Sequence, residues 1–427
     1  MSTASHKTIQ VLEHIVKVLP VGTNLALLHL MWALVNGSFL KSRGAVHSAL
    51  AASGFDKGDI RRSWQALRYG VWHISELINR WRQLVLTEGH WQPRSHAGYR
   101  PISVDITAFW RPRLQFWGGK FFHRLVSRAV TGVGFGIVAQ IGAVASQRVP
   151  LLKRIIRVQN TGDGEAGLHE AILRQVPRSL DAQDVFVHDA GLTLAPVQSA
   201  GIPRFVLRLA ANCTARRNYL PPPKPRGRPA EYGRKVRPLA RKWKERLIPA
   251  TPPDVTDTFQ FAERTVAAKG WLNLVRSDQK VEDGHETFSI WVFSDPLFAD
   301  PMVLGTNLSV EAEAVFRLYL DRWPVEQPPL VAKQMLGLHR QFVFAPTSCQ
   351  RLPELALLAG NILTYLATTL PPIPTGFWDR RPKKRPGGCD ERWNRQFFQK
   401  LTNLIGDFGK SSPLQPIYQR ELQPIGG

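Results

Sequence analysis

The chain has 427 residues, of which 44% are hydrophobic and 21% charged, so it can bury a sizeable core and is not a disordered or low-complexity polypeptide. Lysine and arginine exceed aspartate and glutamate by 23 charges. This excess is untypical of a small acidic enzyme and indicates a polyanionic partner.

The cysteines and the apolar segments bear on the compartment. The three cysteines, at positions 213, 349 and 389, form no Cys-x-x-Cys pair, which argues against a disulfide framework and a thiolate zinc site. Residues 1–7 lack the layout of a signal peptide. The uncharged segment 129–147 is rich in glycine and β-branched residues, which is typical of strands. We therefore expect a soluble cytoplasmic protein without a membrane partner.

Residues 1–95 have the apolar periodicity of helices, and we predict a helical N-terminal DNA-binding domain there. An apolar segment ends at Gly54, and Asp56 can cap a second helix. The exposed face of that second helix is predicted to carry three basic side chains, Lys57, Arg61 and Arg62. This arrangement is compatible with a DNA-reading helix-turn-helix, and an ordinary helical hairpin is the alternative.

From residue 96 the chain alternates short β-branched segments with a helix. Strands are predicted near residues 102–106, 130–144, 154–158, 184–189 and 205–209, and a helix near residues 165–175. This alternation describes a mixed α/β sheet, with residues 96–210 as its first part.

Residues 211–303 interrupt that alternation and are predicted to form a β-rich, basic insertion domain. Residues 204–246 contain 14 lysines and arginines against two acids. The segment 224–229 is similar to an AT-hook core, which enters the narrow minor groove of A·T-rich DNA. A solvated basic linker that contacts phosphates is the alternative. The candidate DNA contacts of this segment are Lys224, Arg226 and Arg228.

Two tryptophans of the same region, Trp243 and Trp271, are candidates for stacking on a DNA base. Packing in the protein core is the commoner role for a tryptophan that lies among leucine and valine, as Trp271 does.

Residues 304–370 are predicted to be helical, and residues 371–427 to form a basic linker and a C-terminal helical region. One face of a continuous helix would carry four polar residues at helical spacing, Tyr319, Arg322, Glu326 and Lys333. A proline pair at 328–329 lies among them and predicts that this helix is kinked or begins late.

Isolated acids mark two of the predicted strands. Asp105 lies inside an apolar strand, and Asp189 ends another. A carboxylate in either place is costly to bury unless a cation lies beside it, so both are candidate functional residues together with Glu326. The alternatives are turn or cap roles for the aspartates and a plain i,i+4 pair for Arg322 and Glu326.

These residues together resemble a known family. The pattern Tyr319-x2-Arg322-x3-Glu326-x6-Lys333 is similar to the Tyr-Arg-Glu-Lys signature of prokaryotic insertion-sequence transposases with an Asp-Asp-Glu active site. The likeness includes Thr306-Asn307 ahead of the signature and the strand contexts of the two aspartates, and it covers about residues 95–370.

The resemblance implies an α/β fold with an RNase H-like mixed sheet, interrupted by the β-rich insertion domain and flanked by helical N- and C-terminal regions. It also implies that the catalytic carboxylates, Asp105, Asp189 and Glu326, hold two Mg²⁺ ions, for which Mn²⁺ can substitute. The implied contacts to the DNA backbone are Tyr319, Arg322, Lys333 and Arg208.

The implied activity is that of a cut-and-paste DNA transposase, an endonuclease of a mobile element. Such an enzyme binds the inverted-repeat ends of double-stranded transposon DNA, cleaves them by two-metal phosphodiester hydrolysis and joins the 3′-hydroxyl ends to target DNA. We expect a homodimer in the DNA complex, in the prokaryotic cytoplasm and associated with the nucleoid. The alternatives are a catalytically inactive, transposase-derived DNA-binding protein and a helix-turn-helix regulator with an unrelated α/β domain.

Overall fold

The computed structural model describes residues 3–114, 118–123, 126–158, 160, 162–223, 228–282 and 284–371. Contacts divide the chain into unit 1, residues 1–93, 105–171 and 323–427, and unit 2, residues 94–104 and 172–322. Both units contain helices and strands, which confirms the mixed α/β class. The domain boundaries predicted from the chain order stay predictions.

The helices are α1 (Thr3–Val16), α2 (Thr23–Val35), α3 (Ser38–Lys41), α4 (Val46–Ala52), α5 (Lys57–Tyr69), α6 (Ile74–Glu88), α7 (Glu165–Gln175), α8 (Leu194–Ser199), α9 (Ala312–Leu320), α10 (Gln327–Leu330) and α11 (Pro346–Thr369). The strands are β1 (Trp91–Pro93), β2 (Arg100–Trp110), β3 (Gly119–His123), β4 (Arg128–Val144), β5 (Gln147–Arg157), β6 (Asp184–His188), β7 (Phe205–Arg208), β8 (Ala215–Arg217), β9 (Lys235–Val236), β10 (Arg241–Trp243), β11 (Arg246–Ile248), β12 (Val255–Phe261), β13 (Arg264–Arg276), β14 (Phe288–Ser294) and β15 (Met302–Thr306).

The helices of unit 1 pack around α2, which is apolar on nearly all sides and is buried along almost its whole length. Helix α2 contacts α1, α5 and α11, and α11 in turn packs on β4 and β5. The helical character predicted for the N-terminal region is therefore confirmed. No helix in the described part of the chain combines the length and apolar character needed to cross a membrane.

The uncharged, glycine-rich segment of unit 1 forms strand β4 and the turn into β5, as its composition predicts. The C-terminal half of β4 pairs antiparallel with β5, and its ends pair with β1 and β3. Two of its glycines face aromatic rings, because a Cβ at Gly134 would meet Phe121 and a Cβ at Gly142 would meet Trp91. Glycine thus lets the rings lie directly on the strand.

The local geometry predicted for a helix-turn-helix is present in α4 and α5. Gly54 follows α4 with a φ of +84°, and the side chain of Asp56 caps α5 by accepting a hydrogen bond of 2.7 Å from the backbone N–H of Asp59. Lys57, Arg61 and Arg62 all lie on the exposed side of α5. Their role in DNA binding stays a prediction.

Unit 2 contains a mixed sheet in the order β2-β6-β7-β15-β14-β13-β8-β9, and β12 pairs with β13. Strands β2, β6 and β7 are parallel neighbours, whereas the pairs from β7 onward are antiparallel. The β2–β6 register runs from Arg100 opposite Asp184 to Val104 opposite His188. The segment predicted as a β-rich insertion is indeed rich in strands, and most of them extend this same sheet.

The signature segment is not one continuous helix, so the prediction of four residues on one helical face is wrong. Helix α9 ends at Leu320, a 3₁₀ turn follows at Trp323–Glu326, α10 begins at Gln327, and a π turn covers Val331–Met335. The proline pair explains this division, because proline is accommodated best in the first turn of a helix, where its missing N–H has no intrahelical partner. The expectation that the helix begins late is confirmed.

Candidate functional site

Three side chains of unit 2 meet around Asp189, the first residue after the buried strand β6. The Tyr319 hydroxyl, from α9, donates a hydrogen bond of 3.0 Å to Oδ1 of Asp189. The Arg322 guanidinium lies 3.5 Å from Oδ2, and that of Arg208, at the end of β7, lies 4.0 Å from Oδ1. Two signature residues that follow Asp189 by more than a hundred positions in the sequence are thus its direct partners.

The surroundings of Asp189 favour its charged form. Burial raises the pKa of this carboxyl, but the Arg322 guanidinium and the Ala190 backbone N–H outweigh it, and the pKa lies below its ordinary value. The pKa of Tyr319 is raised by burial and by the Asp189 charge, so its hydroxyl keeps its proton and stays a donor. The Asp189 side chain is 28% exposed, and Arg322 only 6%. Asp189 is therefore a partly exposed, ionised carboxylate beside the buried guanidinium of Arg322.

A second carboxylate of unit 2, Asp321, holds the end of α9 just before Arg322. Its side chain is fully buried and accepts hydrogen bonds from Arg94 Nε (2.7 Å) and His96 Nε2 (2.8 Å). The Ser103 hydroxyl of β2 donates to the Asp321 carbonyl at 3.0 Å. Burial raises the pKa of Asp321, but the hydrogen bond with His96 and the Arg94 charge lower it by more than that, so the pKa lies below its ordinary value. These bonds fix the chain where it turns from α9 into Arg322.

Sequence reasoning missed this arrangement. An acid at the C-terminal end of a helix is unfavourable with the helix dipole, so Asp321 needs a cationic partner once α9 is known to end at Leu320. Nothing in the spacing of the chain identifies that partner as the Arg94–His96 segment more than two hundred residues earlier.

In unit 1, Lys333 lies in a buried environment that includes the charge of Asp105. Burial lowers the pKa of Lys333 to about 8, and the Asp105 charge offsets part of that shift. The ammonium also lies 5.4 Å from the centre of the Phe109 ring, which is a cation–π distance. Both Asp105 and Phe109 belong to β2, so this strand supplies the charge and the aromatic face that accompany the lysine.

Replacing Lys333 by methionine is expected to stabilise the protein at neutral pH. In the folded chain Lys333 loses its proton near pH 8, whereas in the unfolded chain it has the ordinary lysine pKa of 10.5. Between these two values the unfolded chain binds more protons, so the stability of the parent rises with pH. Below pH 8 the parent retains the full penalty of a buried charge. We expect K333M to exceed the parent by roughly 1–3 kcal/mol at pH 7, an advantage that shrinks towards pH 10.

Urea unfolding of both proteins at pH 7 and pH 10 measures this difference. Lys41→Met, which changes an exposed lysine of the same unit, serves as the control and should change stability little at either pH. A stability difference for K333M that does not vary with pH would contradict the prediction.

Glu326, also in unit 1, is half-buried and directly precedes α10. The first turn of α10 contains Pro328 and Pro329, and the carbonyl of Pro328 lies against Gly360 of α11. A Cβ at position 360 would lie only 2.6 Å from that carbonyl oxygen. The absence of a side chain at Gly360 therefore sets how closely the helix that follows Glu326 approaches α11.

Replacing Gly360 by alanine is expected to destabilise the protein by about 1–3 kcal/mol, because a backbone carbonyl has to move to admit the methyl group. Helix propensity alone predicts the opposite sign, a gain of up to about 1 kcal/mol. Thermal or urea unfolding of G360A therefore distinguishes the two effects by sign, and a more stable variant would contradict the close contact.

The other predicted DNA contacts are distributed over both units. Arg228 is exposed and pairs with Glu231, while Lys224 and Arg226 lie outside the described residues. Trp271 is 1% exposed, and its indole N–H donates to the carbonyls of Thr251 and Pro252 at 3.1 and 2.9 Å. The stacking role predicted for Trp271 is therefore corrected to core packing, its stated alternative. Trp243 is the last residue of β10, and the predicted C-terminal helical region at 372–427 lies outside the described residues.

The three predicted metal ligands have the donor chemistry of a magnesium site. Mg²⁺ prefers carboxylate oxygens, and Asp105, Asp189 and Glu326 offer only such donors. Asp189 is ionised and partly exposed, and the other two are half-buried. Among the residues that the structure describes, no three His, Cys, Asp or Glu side chains are grouped so that they could hold a metal ion.

Comparison with known proteins adds no relative. No protein-family model matches the chain, and no curated protein matches it at a significant level. The family resemblance rests on the residues of this chain alone.

Proposed function

We propose that this protein is a DNA transposase of the Asp-Asp-Glu type, which cleaves the inverted-repeat ends of a mobile element and joins the 3′-hydroxyl ends to target DNA. The observation that carries the proposal is the environment of Asp189. It follows a buried parallel strand, is ionised, and is bound by two residues of the transposase signature, Tyr319 and Arg322. A cap or turn residue needs neither partner.

The strand pairing supports an RNase H-like core for this function. In unit 2, β2 is parallel to β6 and β6 to β7. In unit 1, β4 pairs antiparallel with β5. The β2–β6 ladder ends with Val104 opposite His188, and Asp189 directly follows His188 in the chain.

The residues of the chain have separate proposed roles. Asp105, Asp189 and Glu326 would hold Mg²⁺, or Mn²⁺ in its place, and the bound ions supply activation of the attacking oxygen and stabilisation of the leaving oxygen. Arg322 orients Asp189 and keeps it ionised. Arg208 is 45% exposed, so it is the cation of this cluster that a DNA phosphate can reach from solvent.

Lys333 supports the same proposal energetically. Keeping an ammonium in a site that lowers its pKa to about 8 costs folding free energy, which is typical of functional rather than structural positions. Its proposed role is to place a point charge against the DNA backbone. The net charge of +23 and the exposed cations of α5 are consistent with a DNA partner. A homodimer in the DNA complex and a location at the prokaryotic nucleoid are part of the proposal.

The test is cleavage of a supercoiled plasmid that carries the sequences flanking the gene, in their genomic orientation. With Mg²⁺ we expect breaks at the outer ends of those sequences that leave 3′-hydroxyl groups, and none with EDTA. A plasmid with scrambled flanks is the control. If the parent neither binds nor cleaves the flanking DNA, the proposal is wrong.

A second candidate is a catalytically inactive, transposase-derived DNA-binding protein. It is favoured by the division of the signature segment into a 3₁₀ turn, a short helix and a π turn around Glu326. Specific binding to the flanking DNA without cleavage in Mg²⁺ or Mn²⁺ would support this candidate.

A further inference from the structure

The loop between the π turn and α11 exposes two aromatic rings in unit 1. Along residues 340–344 the side chains alternate between exposed and buried, as in an extended chain. Phe342 is 54% exposed and Phe344 is 64% exposed, whereas Gln341 and Val343 between them are buried. Phenylalanines this exposed on neighbouring outward positions are unusual unless they meet a partner.

Buried contacts hold this loop in place. The Arg111 guanidinium donates to the Gln341 side chain at 3.2 Å and to the Val343 carbonyl at 2.5 Å, and it lies 5.4 Å from the centre of the Phe344 ring. The Cys349 thiol donates to the same carbonyl at 3.0 Å. Arg111 is itself 6% exposed. The two phenylalanines are therefore presented by a fixed backbone.

A second segment of unit 1 brings further cations to the loop. The Phe342 N–H donates to the Gly44 carbonyl at 3.4 Å, and a Cβ at Gly44 would collide with the Arg340 carbonyl. The exposed side chains that surround this contact define an aromatic–basic surface: Leu40, Lys41, Arg43, Arg340, Phe342 and Phe344. Neither contributing segment, residues 37–55 or 327–353, contains an aspartate or glutamate.

We propose that this aromatic–basic surface binds DNA with unpaired bases, which stack on Phe342 and Phe344 while Lys41, Arg43 and Arg340 contact the phosphates. The charge of the surface is complementary to a polyanion, and each unpaired base offers an apolar face that a paired base keeps inside the duplex. The inference deepens the proposed function, because strand opening beside a cleaved end exposes such bases. It rests on that function only in taking DNA as the partner.

Binding of the full chain in EDTA tests this surface without any cleavage. The probes are a fluorescein-labelled duplex and the same duplex with a central run of unpaired thymines. We expect the parent to prefer the unpaired DNA, and F342A/F344A to bind it roughly ten-fold more weakly with little change on the paired duplex. Arg340→Ala should weaken binding to both DNAs.

Two further variants separate stacking from misfolding. Phe122→Ala removes a phenylalanine that is 57% exposed elsewhere in the same unit and should leave the preference intact. F342Y/F344Y retains both rings and should keep the preference for unpaired DNA. If F342A/F344A keeps the parent's preference, or loses affinity equally on both DNAs, base stacking at this surface is wrong.

The remaining outcomes also decide the inference. One such outcome is that the parent self-associates, whereas F342A/F344A is monomeric and keeps the parent's DNA preference. The surface would then bind a second copy of the chain, and the proposal would be overturned. Because the assay needs no metal, the two proposals can fail separately. If the protein binds unpaired DNA through these rings but cleaves nothing, only the proposed transposase activity is wrong. A protein that cleaves its ends but shows no preference refutes only this surface.

Discussion

Asp189→Asn is expected to reduce Mg²⁺-dependent cleavage of the flanking DNA by roughly 10³-fold or more, because in the proposed mechanism it removes a charged oxygen ligand of Mg²⁺ while retaining the size of the side chain. The amide oxygen can still accept the Tyr319 hydrogen bond, so the local structure should persist. DNA binding in EDTA should be equal or tighter, since the variant loses a negative charge close to Arg208, the proposed phosphate contact. Cleavage rates and anisotropy titrations of the parent and D189N measure the two effects.

The matched control is Asp181→Asn, which neutralises a 73% exposed aspartate of the same unit and should leave cleavage unchanged. The pH dependence of unfolding provides a second check. The folded pKa of Asp189 lies below its ordinary value, so its charge stabilises the fold above that ordinary value, and the contribution is lost as pH falls through the folded pKa. The stability difference between parent and D189N should therefore disappear in acid. Cleavage by D189N at the parent's rate would remove Asp189 from the active site.

Asn361→Leu is expected to lower the free energy of unfolding by about 3–5 kcal/mol. The Asn361 side chain is fully buried in α11 and connects three parts of unit 1. Its oxygen accepts hydrogen bonds from the Trp81 indole (2.8 Å) and the Leu152 N–H (3.2 Å), and its nitrogen donates to the Pro150 carbonyl (2.6 Å). Leucine leaves all three groups buried without that partner, at about 1–3 kcal/mol each before relaxation.

Urea unfolding followed by tryptophan fluorescence measures this loss. The control is Thr364→Val in the same helix, which removes one hydrogen bond, from the threonine hydroxyl to the Gly360 carbonyl, and should cost about 1 kcal/mol. If N361L costs no more than T364V, the three bonds do not anchor α11 as we infer.

Much of the local structure could be predicted because it depends on neighbours in the sequence. The cap at Asp56 and the turn at Gly54 follow from residue types at fixed offsets. The strand assignment of residues 129–147 follows from composition. Periodicity shows which signature residues would share a face of a helix, but not whether the backbone stays helical between them. The interruption itself follows from the proline pair at 328–329.

The candidate site was predictable as a set of residues but not as a set of contacts. The spacing of Tyr319 and Arg322 and the strand-end position of Asp189 mark all three as candidates, but neither shows that both signature residues contact Asp189. The sequence around Trp271 is compatible with both base stacking and core packing, and its burial assigns it to the core. The acidic end of α9 was overlooked because its cations come from a distant part of the chain.

The amino-acid sequence by itself determined the charge that favours a polyanionic partner, the α/β class, and the order of the acids along the chain. Only the tertiary structure decided which cations meet Asp189 and Asp321, which tryptophan is covered, and which phenylalanines face solvent. The physical reason is that charge and periodicity are properties of neighbouring residues, whereas pairing and burial depend on segments that folding brings together from distant positions.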